Sequence, residues 1–227
     1  MRTRILMLAG AIGLASAIGV AAPAQAWSGS HDDATVSIVH AVPNTPVDVY
    51  VNHHRLLNDF QPGTIAGPLK LERGTYMVSI TAATAKNDHH PVIGPVKLTF
   101  RAHRNYSVVA HLTAKGAPTA TLYRNSLART GSGKGRLIVR HDAAAPAVDV
   151  RANGALLIKH LTNPHQAARV VPAKTYSVRV NLAGTSTTAI GPVDLKVKAH
   201  TDTIVYAWGS AAQHNLMVLV QRIPLRH

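Results

Sequence analysis

Val39-His40-Ala41-Val42-Pro43-Asn44-Thr45-Pro46-Val47-Asp48-Val49-Tyr50-Val51-Asn52 decides the fold, because the chain runs through the same frame again about a hundred residues later. Ile38-Val39-His40 followed by Val47-Asp48-Val49 corresponds to Val139-Arg140-His141 followed by Val148-Asp149-Val150, with His and Asp eight positions apart in both. Working outward, Gly74-Thr75-Tyr76-Met77-Val78 aligns with Lys174-Thr175-Tyr176-Ser177-Val178. Ile93-Gly94-Pro95-Val96-Lys97-Leu98 aligns with Ile190-Gly191-Pro192-Val193-Asp194-Leu195. The offset drifts slightly and in one direction, as expected when duplicated modules lose turn residues and keep their strands.

Both copies alternate in the manner of half-buried strands. Val96, Leu98 and Phe100 share one face, with Lys97, Thr99 and Arg101 on the other; Val193, Leu195 and Val197 oppose Asp194, Lys196 and Lys198 in the second copy. Tyr76, Val78 and Ile80 correspond to Tyr176, Val178 and Val180. Pro-Asn, Pro-Gly and Gly-Pro turn signals separate about seven short strands per copy, and no stretch after residue 30 has a capped helical period. The expected fold class is all-β, two tandem antiparallel β-sandwich domains of immunoglobulin-like or transthyretin-like kind. The boundaries predicted are a signal peptide over 1–26, a disordered N-terminus over 27–33, module 1 over 34–128, a Gly/Ser linker over 129–134 and module 2 over 135–227. A linker such as Thr130-Gly131-Ser132-Gly133 makes relative motion of the modules the default expectation.

Met1-Arg2-Thr3-Arg4, an apolar run from Ile5 to Ala22 and Ala24-Gln25-Ala26 have the three parts of a signal peptide cleaved after Ala26. The expected address is therefore secreted or cell-envelope, with no transmembrane segment after cleavage. The chain has no cysteine, so no disulfide reinforces the modules. Lysine and arginine number 24 against 10 acids, and removal of Arg2 and Arg4 with the signal leaves 22, a net charge of +12. Such a surface attracts polyanions. The cations are scattered and aromatic residues make up only 4% of the chain, which disfavours a stacking platform for nucleic acid.

The repeated segment resembles the bacterial family catalogued as domain of unknown function 4397, with the pattern V-H-x-x-P-x-x-P-x-V-D-V-x-V-x-G. The resemblance extends from about Ala34 to Ser126 and from about Gly135 to Leu225. His53 stands where glycine is usual in copy one, and Ala144 replaces the first proline in copy two. The resemblance implies export and a small β-sandwich, and carries no activity with it.

His40 and His141 share a face with the inward-pointing Val36 and Ile38, and Leu137 and Val139. Asp48 and Asp149 have the opposite parity to their flanking valines. This parity separates each pair and argues for structural roles: the imidazole closing a strand end on turn backbone, the carboxylate accepting a local N–H. His53-His54 and His89-His90 invite a metal reading, yet copy two lacks both pairs, and no His-x-His or His-Glu-x-x-His motif exists. Gly131-Ser132-Gly133-Lys134-Gly135 lacks the spacing of a phosphate-binding loop, and no Gly-x-Ser-x-Gly elbow is present. The reading that follows is a non-enzymatic module without cofactor, binding an anionic cell-envelope polymer or surface protein through its basic surface. Two competing readings are a metal-dependent hydrolase or metal-binding protein in the module 1 loops, and a non-specific polyanion binder.

Overall fold

The computed structural model describes residues 32–226; the expected signal segment lies outside the described residues. Module 1 contains β1 (Asp33–Ala41), β2 (Val47–Val51), β3 (His54–Phe60), β4 (Thr64–Glu72), β5 (Gly74–Ala82), β6 (Ile93–Phe100), β7 (Asn105–Leu112) and β8 (Pro118–Asn125). Module 2 repeats the plan with β9 (Lys134–Ala144), β10 (Val148–Ala152), β11 (Ala155–Leu161), β12 (Gln166–Pro172), β13 (Thr175–Leu182), β14 (Thr188–Lys196), β15 (Thr201–Ser210) and β16 (Met217–Pro224). No helix occurs among the described residues.

Each module is a sandwich of eight strands, one more than the turn signals suggest. Its sheets have the order β4-β1-β7-β8 and β3-β2-β5-β6 in module 1, and β12-β9-β15-β16 and β11-β10-β13-β14 in module 2. The pairing is antiparallel except for β1 with β7 and β9 with β15, which are parallel. Parallel neighbours need a long crossover, and here the other sheet of the module lies between them in sequence. β1 already begins at Asp33, which pairs with Glu72 and accepts a backbone hydrogen bond from His103, so the expected disordered lead does not extend that far.

The duplicated Ile-Gly-Pro signals fall where β6 and β14 shift register against β5 and β13. A Cβ on Gly94 would stand 2.5 Å from the Val78 carbonyl oxygen, and one on Gly191 2.6 Å from that of Val178. Both glycines also hold positive φ, so backbone contact and backbone conformation each call for glycine there.

Alternate residues of the facing sheets fill one core per module. Val36, Ile38, Val49, Ile80 and Val108 lie at the centre of the first; Leu137, Val150, Val178, Val180 and Val205 lie at the centre of the second. A third apolar layer, formed by Val39, Ala41, Val109, Tyr123, Ile138, Ile204, Tyr206 and Trp208, lies between the modules. The central strands β1, β7, β9 and β15 are therefore buried on both faces, as in the interior of a layered fold. This corrects the expectation of two loosely tethered modules. The connection is held as well: Arg136 donates to the carbonyls of Ser126 and Ala128, and Thr130 to that of Lys134.

Candidate functional site

The four signature residues occupy repeated positions. His40 Nε2 lies 2.8 Å from the Thr45 carbonyl and His141 Nε2 2.8 Å from that of Pro146, while each Nδ1 faces the N–H two residues on, in Val42 and Ala143. These contacts suit a neutral ring donating from Nε2, and burial lowers the pKa of both imidazoles. Asp48 accepts from the Asp59 N–H at 2.8 Å and from Arg55 Nη1 at 3.0 Å. Asp149 accepts from the N–H of His160 and of Gly184. Those donors are not sequence-local: each carboxylate reaches across a hairpin to a residue of positive φ, Asp59 or His160. The backbone N–H groups of Gly184 and His160 hold the Asp149 pKa below the usual carboxylate range.

His53 Nδ1 pairs with Asp88 at 2.8 Å, and His89 and His90 lie in the β5–β6 loop. Among the described residues no three His, Asp or Glu side chains stand close enough together to hold a metal ion. The structure therefore gathers no ligand set from these histidines.

Scattered residues converge instead at the seam. A groove of about 850 Å³ is lined by the β6–β7 turn, the end of β8, the connecting segment and the chain's C-terminal end. Arg104, Arg124, Arg129 and Arg226 line it, with His103 and Asn125. All four guanidinium groups are exposed and none forms an ion pair among the described residues. Asp32 sits beside His103, 3.9 Å away, and within 3.4 Å of Arg73. The walls are fixed by backbone contacts: Thr35 donates to the Arg104 carbonyl, His103 to that of Asp33, and Leu225 to that of His200.

Behind the groove the seam holds a buried polar network. The Arg140 guanidinium is fully buried, 4.2 Å from the Tyr123 ring centroid, and donates to Gln166, to the Tyr206 hydroxyl and to Asn125 Oδ1. Asn125 then donates to Asn105 and Ser107. Tyr123 of module 1 bonds Asp142 of module 2 at 2.7 Å, with His111 Nε2 3.9 Å from the same carboxyl oxygen. Burial drives the Asp142 pKa upward. Asn125 belongs to both the network and the groove wall, so ordered inter-module contacts hold the groove's shape.

Sequence reasoning missed these arginines because they lie at positions 104, 124, 129 and 226, with no run or motif. One signal was available for the network. Where copy one has Val39 and Ala41, copy two has Arg140 and Asp142, and the positions that differ are those that face the other module.

No curated protein matches the chain. Among solved structures, a family 26 carbohydrate-binding module, CBMbc of Amy13K from Eubacterium rectale, solved in complex with maltoheptaose, is similar at 11% identity. The alignment covers 83% of this chain and 97% of that one, with a TM-score of 0.30. Residues 34–151 match the family described as Domain of unknown function (DUF4397), a span that takes in module 1 and the signature of module 2, and the chain belongs to that family.

Proposed function

We propose that this protein, after export, is a non-enzymatic binding module that holds an anionic cell-envelope polymer in the basic groove at the module seam. The observation that carries the reading is the convergence of Arg104, Arg124, Arg129 and Arg226, none of them ion-paired among the described residues, on one groove of fixed shape. Guanidinium groups bind phosphate and carboxylate oxygens in bidentate fashion, which suits a polymer of repeating acidic groups. The groove takes residues from module 1, from the connecting segment and from the C-terminal end of module 2, so its form depends on the docked pair of modules.

Titration of the mature protein with inorganic polyphosphate across a salt series tests this. Saturable binding that weakens linearly with the logarithm of salt is expected, with the slope reduced by about one for each contacting arginine replaced. Absence of saturable binding at low salt contradicts the proposal.

A further inference from the structure

We infer that module 2 carries a second site, distinct from the groove: an apolar slot between its two sheets that takes the hydrocarbon chain of a medium-chain fatty acid. The slot has a volume of about 160 Å³, and its walls are almost wholly aliphatic, with Val139, Val180, Ile190, Val193, Val218 and Val220 among them. Ile190, Val193, Val218 and Val220 are only half-buried, which places the opening along the edge strands β14 and β16.

The duplication shows that the fold does not require such a space. The corresponding core cavity of module 1 is about 20 Å³, and there β6 packs along β8 more closely than β14 does along β16. The registers align Ile38 with Val139, Ile80 with Val180 and Leu122 with Val220, so three wall positions each lose a methylene in module 2. Two wall positions change in the other direction, Val36 to Leu137 and Ala120 to Val218.

Size and charge select the occupant. An apolar cavity of about 150 Å³ stays dry and accepts a six-carbon ring, so this one holds about six carbons of a chain. At the slot's edge Arg222 is exposed and reaches the Lys196 carbonyl at 3.5 Å, with the Lys196 side chain also exposed. Asp194 is the one acid among the lining residues. Asp194 and Lys196 lie on the face of β14 opposite Val193 and Leu195, so Arg222 is the cation beside the aliphatic slot, which fits a chain inside and a carboxylate outside.

The test is calorimetric titration of the full mature chain with straight-chain carboxylates from butanoate to decanoate. Affinity is expected to rise by about fourfold per added methylene and to level off once about six carbons are buried. Octanoate should bind more tightly than octanol, and Arg222→Gln should remove that difference. The triple variant Val139→Ile, Val180→Ile, Val220→Leu restores the module 1 residues; it should fold with an unchanged or higher melting temperature and lose octanoate binding at least tenfold. No saturable binding by the wild-type chain, affinity independent of chain length, octanol matching octanoate, or full binding by the folded triple variant would each overturn the proposal. Polyphosphate binding in the groove is expected to survive in the triple variant, so the two sites fail separately.

Discussion

Replacing Trp208 by alanine should separate the two modules. The indole is 4% exposed, belongs to the inter-module layer, and lies so close to Gly63 of module 1 that a Cβ there would be 3.0 Å from its Cζ2. Truncating a buried aromatic to alanine costs about 3–5 kcal/mol. A domain-sized stability of about 5–15 kcal/mol makes that a large share. For a chain of this length each kcal/mol is worth about 2–4 °C, so the melting temperature should fall by roughly 6–20 °C. The signature is the shape of the transition as well as its position. Scanning calorimetry should give one cooperative transition for the wild type and two for Trp208→Ala, with faster tryptic cleavage in the 129–134 connection. Leu156→Ala, on an exposed side chain of module 2, is the control and should change neither. Two resolved transitions in the wild type, or a shift under about 2 °C with one transition kept in Trp208→Ala, would refute the reasoning.

The buried ionisable groups give further expectations. Burial raises the Asp202 pKa to about 6 against an unfolded value near 3.8, despite the Arg136 contact at 2.8 Å. The folded state therefore holds a proton that the unfolded chain releases, so stability falls as pH rises from about 4 to 6 and is level above, by up to about 3 kcal/mol. Asp202→Asn should flatten that component, read as the difference between variant and wild-type denaturation midpoints over the pH series. His40 and His141, with lowered pKa values, act in the opposite sense: their contribution is present above about pH 6.5 and is lost as pH falls through their folded values. Arg140→Leu should cost about 3–5 kcal/mol in chemical denaturation, because it strips partners from Gln166, Tyr206 and Asn125 inside the seam. A loss below about 1 kcal/mol would show that these groups find other partners.

The duplicated sandwich was legible because alternation is written locally: Val96-Lys97-Leu98 and Val193-Asp194-Leu195 declare one buried and one wet face without reference to the rest of the chain. The docking of the modules was harder to read. β7 runs Asn-Tyr-Ser-Val-Val-Ala-His-Leu and β15 Thr-Asp-Thr-Ile-Val-Tyr-Ala-Trp-Gly-Ser, both nearly without alternation, which is the mark of a strand covered on both faces. That mark competes with the flexible look of Gly131-Ser132-Gly133, and composition says nothing about Arg136 fastening the connection. Polar asymmetry between the copies lies at Arg140 and Asp142 as well as in the histidine pairs of module 1, and only the former is built into the seam. The groove was illegible for a different reason, since four arginines far apart in sequence meet only through tertiary packing.

The groove itself is tested most directly by a charge-matched comparison. One variant carries Arg104→Gln, Arg124→Gln, Arg129→Gln and Arg226→Gln; the other removes four exposed cations elsewhere, at Lys97, Lys115, Lys159 and Arg179. Both lose the same net charge, so diffuse attraction weakens equally in the two. Titrated with polyphosphate at equal salt, the groove variant should lose binding and the control should keep most of it. Equal weakening of the two would contradict a dedicated site at the seam.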